Sequence, residues 1–106
     1  ETHVLSESYR FAGTVDCIGW VSFNSSHRVK VLIDWKSSKS IFDHHFLQIA
    51  AYFFAYEEMT GDRLDGACVV RFRDGRSEHS CLQREDLERL FSVFLSALNI
   101  YRWKYE

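Results

Sequence analysis

From residue 28 to residue 36 (RVKVLIDWK), Val29, Val31 and Ile33 alternate with Lys30, Leu32 and Asp34, the two-residue period of a strand. The segment before it, 14–23 (TVDCIGWVSF), is rich in β-branched and aromatic residues and also predicts a strand. Asn24-Ser25-Ser26-His27 supplies a turn between the two. Upstream, residues 3–12 (HVLSESYRFA) predict one broken strand that ends before Gly13. After the loop Ser37 to Phe42, the pattern changes to the helical period. Asp43 is the expected N-cap of a helix over 44–60, which Gly61 terminates. That helix is apolar on most sides, so it should pack on the sheet and on something else. Residues 64–73 and 77–82 predict two further strands around the hairpin signal Asp74-Gly75. The last segment, 84–104, is an amphipathic helix with Leu87, Leu90, Phe91, Phe94, Leu95 and Leu98 on one stripe.

The resulting order is β-β-β-α-β-β-α. A meander followed by a helical crossover gives a mixed β-sheet flanked by helices, an α/β fold, and not a doubly wound nucleotide-binding fold. No Gly-rich phosphate loop is present.

At 106 residues the chain fits a single domain, 1–106, and its 46% hydrophobic content is enough for a core. No apolar run approaches the roughly 18–20 residues that span a bilayer, and no signal-like start is present, so no membrane partner is expected. The net charge of -2 neither favours nor excludes nucleic acid, because carboxylates that hold a metal mask a local basic groove. Cys17, Cys68 and Cys81 form no CxxC pair and no zinc spacing. They are expected to be buried free thiols of an intracellular, reducing compartment. The chain opens inside a strand, which suggests a piece of a longer protein.

Three ionisable residues stand out. Counting outward from a turn at Ser25 sets Asp16 opposite Asp34, and paired residues share a face. Asp34 and Lys36 share that face by the two-residue period. Facing aspartates repel, and a divalent cation removes the repulsion; Mg²⁺ or Mn²⁺ suits one or two carboxylates completed by a carbonyl, waters and a phosphate oxygen. Lys36 could then orient the attacking water and offset charge on a phosphate. D-x-K alone is common at strand ends, and the paired Asp16 is what raises its weight.

Gly13-Thr14-Val15-Asp16, then Ile33-Asp34-Trp35-Lys36, then Gln48-Ile49-Ala50-Ala51-Tyr52, resembles the GxxD…(D/E)xK…QxxxY pattern of the PD-(D/E)XK nuclease superfamily, RecB-like exonuclease branch. That branch includes the exonucleases of mitochondrial genome maintenance and of phages and viruses. The resemblance continues through Asp65 to Phe72, Asp74-Gly75 and the closing aromatic helix. It implies a restriction-endonuclease-like core and Mg²⁺- or Mn²⁺-dependent hydrolysis of DNA, with single-stranded ends favoured. It implies Asp16, Asp34 and the main-chain carbonyl of Trp35 as metal ligands and Lys36 as the catalytic lysine. Gln48 and Tyr52, on one helix face, would support the site or touch the strand. An upstream helical segment that often supplies a further acidic or histidine ligand has no counterpart before Glu1. The four cysteines that hold an iron–sulfur cluster in some relatives are also missing, so no cluster is expected.

Two other functions fit the same residues. One is a structure-specific endonuclease such as a dimeric junction resolvase; the other is a nuclease-fold module that binds DNA or a partner without cutting. A homodimer or a larger parent protein is compatible with each. His44 and His45, Ser37, Ser38 and Lys39, and Arg71, Arg73 and Arg76 are secondary candidates for phosphate contact. Trp20, Trp35, Trp103 and the Phe53-Phe54 pair are expected to be core or packing residues, not base-stacking platforms.

Overall fold

The computed structural model describes residues 1–24, 27–36 and 43–106. Strands β1 (Thr2–Ser6), β2 (Phe11–Val15), β3 (Cys17–Asn24) and β4 (His27–Lys36) precede helix α1 (Asp43–Thr60). Strands β5 (Gly66–Arg73) and β6 (Arg76–Gln83) follow, and helix α2 (Arg84–Tyr105) closes the chain. The main sheet is mixed, in the order β3-β4-β5-β6, with β4 and β5 parallel across the α1 crossover and the other pairs antiparallel. The expected α/β architecture with a mixed sheet and two helices is therefore present. Among the described residues, no helix is long and apolar enough to cross a membrane.

The amino-terminal part differs from expectation. Residues 3–12 are not one strand: β1 and β2 form a separate antiparallel hairpin, with Thr2 opposite Val15 and Ser6 opposite Phe11. The turn is built by polar side chains. Ser6 Oγ accepts the Tyr9 N–H at 3.1 Å, and Arg10 takes a positive φ of 60°. From α1, Glu58 accepts the Ser6 hydroxyl and the main-chain N–H groups of Glu7 and Ser8. From α2, Arg102 donates to the carbonyls of Tyr9 and Arg10. Both helices thus pin the hairpin, and Val4 and Val15 from it enter the common core.

The expected strand 14–23 is likewise two strands, broken by a bend at Asp16. From Cys17 onward the pairing with β4 follows the counted register, Cys17 opposite Ile33 and Val21 opposite Val29, with an irregularity between Ser22 and Asn24. The Asp74-Gly75 hairpin is as expected, with φ of 52° and 74°, the two positive values of a type I′ turn.

Leu32, Ala67 and Val69 on one sheet face pack with Ile49, Phe53, Leu64 and Leu87. The α2 stripe enters through Leu87, Leu90 and Phe91, and α1 meets both α2 and the β1–β2 hairpin. Arg84 fastens the helices: it donates to both oxygens of Glu57 at 2.8 and 2.6 Å and lies over the rings of Phe53 and Phe54. Glu57 also accepts the Leu64 N–H at 2.7 Å, which sets the entry to β5.

Two expectations about side chains fail. Cys68 and Cys81 are not free thiols; they face each other across the β5–β6 hairpin and are joined by a disulfide, leaving Cys17 free. Trp20, Trp35 and Trp103 are not core residues. All three are exposed, Trp20 under the Arg28 guanidinium near the β3–β4 turn and Trp103 in the last turn of α2, beyond the buried stripe. Phe53, by contrast, is fully buried, as expected.

Candidate active site

The β3–β4 ladder reaches Cys17 and Ile33, and there the chain bends at Asp16. The bend turns the Asp16 side chain into the place of the next main-chain acceptor: its Oδ2 accepts the Trp35 N–H at 2.9 Å. In a strand, a residue's carbonyl points to the same side as its N–H, so the Trp35 carbonyl also faces the Asp16 side of β4. The Trp35 indole projects to the opposite sheet face from Asp34 and Lys36, where it stacks on Phe72 at 5.7 Å.

Asp34 and Lys36 share the helix-bearing face, and Lys36 Nζ lies 3.0 Å from Asp34 Oδ2 with side chains 22% and 18% exposed. Burial pushes the Asp34 carboxyl above its ordinary value; Lys36 pulls it back, and the adjacent Asp16 carboxylate pushes it up again. The structure therefore brings Asp16, Asp34 and Lys36 together, with two carboxylates close enough to compete for one proton or one cation. Among the described residues, no group of three or more His, Cys, Asp and Glu side chains gathers as a metal cage. What the donor set does fit is an ion that takes two carboxylates, with the Trp35 carbonyl on the same side and solvent completing the shell.

Gln48 and Tyr52 are one turn apart on α1, and the Gln48 amide donates to the Tyr52 hydroxyl at 3.0 Å. The Tyr52 ring lies against Gly13, where a Cβ would overlap it. This contact joins the glycine three residues before Asp16 to the α1 pair, so the helix buttresses the strand that delivers the carboxylate. His45 lies within electrostatic reach of Lys36: burial lowers its basicity, and the charges of Lys36 and His44 lower it further. The His44 and His45 rings meet edge-on at 4.3 Å.

Of the secondary candidates, Ser37, Ser38 and Lys39 lie outside the described residues. Arg71 lies directly across from Lys36 in the parallel pairing and is ion-paired with Glu78, whereas Arg76 is exposed at the β5–β6 turn. Chain order alone did not single out Arg71 from its neighbours, because its position depends on the register of the crossover. Comparison with protein-family models and with curated proteins finds no match for the chain.

Proposed function

We propose that this chain is the core of a metal-dependent DNA nuclease of the PD-(D/E)XK superfamily, RecB-like branch, which hydrolyses phosphodiester bonds and favours single-stranded ends. The observation that carries this reading is the meeting of the Asp16 carboxylate, on the Trp35 N–H, with the Asp34–Lys36 pair at the end of β4. The Gly13–Tyr52–Gln48 contact adds the remaining residues of the resembled pattern to the same side of the fold.

Asp16 and Asp34, with the Trp35 carbonyl, would hold Mg²⁺ or Mn²⁺. Such an ion, when bound, polarises a phosphoryl oxygen and makes its bound water a better nucleophile. The rest is work for the chain's own side chains. Asp16 is held in place by the Trp35 N–H and cannot swing away without breaking that bond. Lys36, now paired with Asp34, is placed to hand its N–H donors to the attacking water and to the non-bridging oxygens as they gain charge. Tyr52 and Gln48 keep β2 seated and present a hydroxyl and an amide beside it.

The test is the purified chain with end-labelled single-stranded, duplex and branched DNA, in Mg²⁺ or Mn²⁺ against EDTA. Release of mononucleotides or short oligomers that EDTA abolishes, and that Lys36→Ala removes, is the expected result. Cutting confined to branched DNA would replace this reading with a structure-specific endonuclease. Metal-independent binding without cutting would replace it with a binding module.

A further inference from the structure

Lys36 and Arg71 are direct partners where β4 and β5 run parallel, and Arg71 is in turn the antiparallel partner of Glu78 on β6. Direct partners share a sheet face. Because Lys36 is ion-paired with Asp34 and Arg71 with Glu78, all four charges lie on the face that carries the carboxylate centre. Adjacent strands are about 4.8 Å apart. The two cationic side chains therefore start from neighbouring positions on one face, each with its own carboxylate, Asp34 for Lys36 and Glu78 for Arg71.

The two members of the outer pair are not equivalent. The Arg71 side chain is 14% exposed, so its surroundings fix the guanidinium, while Glu78 is 61% exposed and stands in water. The solvated carboxylate is the member that can leave the pair, since it is not drawn out of the interior in doing so. It can be exchanged for another anion that offers two oxygens to the guanidinium fork, and a phosphodiester does so.

Resting on the nuclease reading above, we infer that Arg71 grips a DNA backbone phosphate beside the one presented to Lys36. Glu78 occupies the guanidinium when DNA is absent and yields it when the strand binds. Arg71 thus acts in substrate binding next to the hydrolytic centre and contributes chiefly to KM.

The signs of two substitutions separate this role from a structural one. Binding of a short labelled single-stranded oligonucleotide is read by anisotropy across a salt series, in EDTA and in Ca²⁺, and cleavage in Mg²⁺ gives KM and kcat. Arg71→Ala should weaken binding about tenfold and lower the salt slope by about one, raising KM more than it lowers kcat. Glu78→Gln should do the opposite and tighten binding a few-fold, because the competing carboxylate is gone. Arg71→Lys should restore the salt slope but only part of the affinity, and with Glu78→Gln it decides the matter should Arg71→Ala fail to fold. An unchanged salt slope in Arg71→Ala, full wild-type affinity in Arg71→Lys, or weakening by Glu78→Gln as well, overturns the inference. A wild type that binds DNA without cutting overturns the nuclease reading and leaves Arg71 to be judged by its salt slope; a wild type that neither binds nor cuts overturns both.

Discussion

Gly13 on β2 and Tyr52 on α1 are in such close contact that a methyl group at position 13 would overlap the tyrosine ring and hydroxyl. Gly13→Ala must therefore displace the ring or the strand, a cost of about 1–3 kcal/mol for overpacking. Because Tyr52→Ala opens the space, the double variant should lose less than the two single losses combined. A double-mutant cycle by urea denaturation measures this, and strict additivity would mean that the two residues do not constrain each other.

Asp16→Asn should stabilise the protein at neutral pH when no divalent ion is present. Asp34 titrates above its ordinary 3.8, so its contribution to stability is complete below that value and is lost as pH rises through the raised one. Removing the Asp16 charge removes part of the loss, worth about 0.5–1 kcal/mol. The gain should vanish in acid, where the Asp34 carboxyl is protonated. Added Mn²⁺ should raise the melting temperature of the wild type more than that of the variant. Equal shifts would argue against a metal held by this pair.

Glu58 behaves in the opposite sense. The Ser6 hydroxyl and the N–H groups of Ser8 and Glu7 hold its carboxyl below the ordinary 4.5. Its contribution is present above that value and is lost as pH falls through the lowered one. Glu58→Gln should therefore lower the melting temperature at neutral pH, with the gap to wild type closing in acid. Hydrogen exchange should show faster opening of the β1–β2 hairpin, and a gap that persists unchanged in acid would contradict the assignment.

The Cys68–Cys81 bond closes a loop with a sequence separation of 13, for which chain entropy gives a stabilisation of about 3 kcal/mol. Reduction, or Cys68→Ser with Cys81→Ser, should lower the denaturation midpoint accordingly and loosen β6 first. Calorimetry with and without reductant is the direct check, and a reductant-insensitive transition would show that the pair contributes nothing.

What the sequence revealed follows the range over which each feature is determined. The β3–β4 register and the Asp74-Gly75 turn are local, and counting from the turns gives the pairing as far as Cys17 and Ile33; Asp16 itself is not the ladder partner of Asp34 but leaves the ladder at a bend, with its carboxylate on the Trp35 N–H. Counting outward from Asp74-Gly75 in the same way sets Cys68 against Cys81. Spacing along the chain does not reveal this pair, because the two thiols meet across the hairpin. The turn after Ser6 is missed within the expected strand 3–12, because the contacts that hold it come from Glu58 and Arg102, about 50 and 90 residues away. Trp35 reaches solvent on the sheet face away from the helices and Trp103 in the last turn of α2, beyond the buried stripe, neither of which periodicity alone shows. Arg71 was one of three similar arginines until the crossover register placed it beside Lys36.

The parallel pairing of β4 with β5 also divides the candidate site in time. Asp16 and Trp35 are 19 residues apart and joined by one hairpin, which closes in roughly 1–10 μs. Lys36 meets Arg71 only after α1 has formed and the chain has crossed over, the slower, non-local event. The carboxylate end is therefore expected to form early in folding and the neighbouring cation to join it later. Destabilising substitutions along β3 and β4 are expected to slow refolding, and those along β5 to quicken unfolding, a contrast that φ-values would measure.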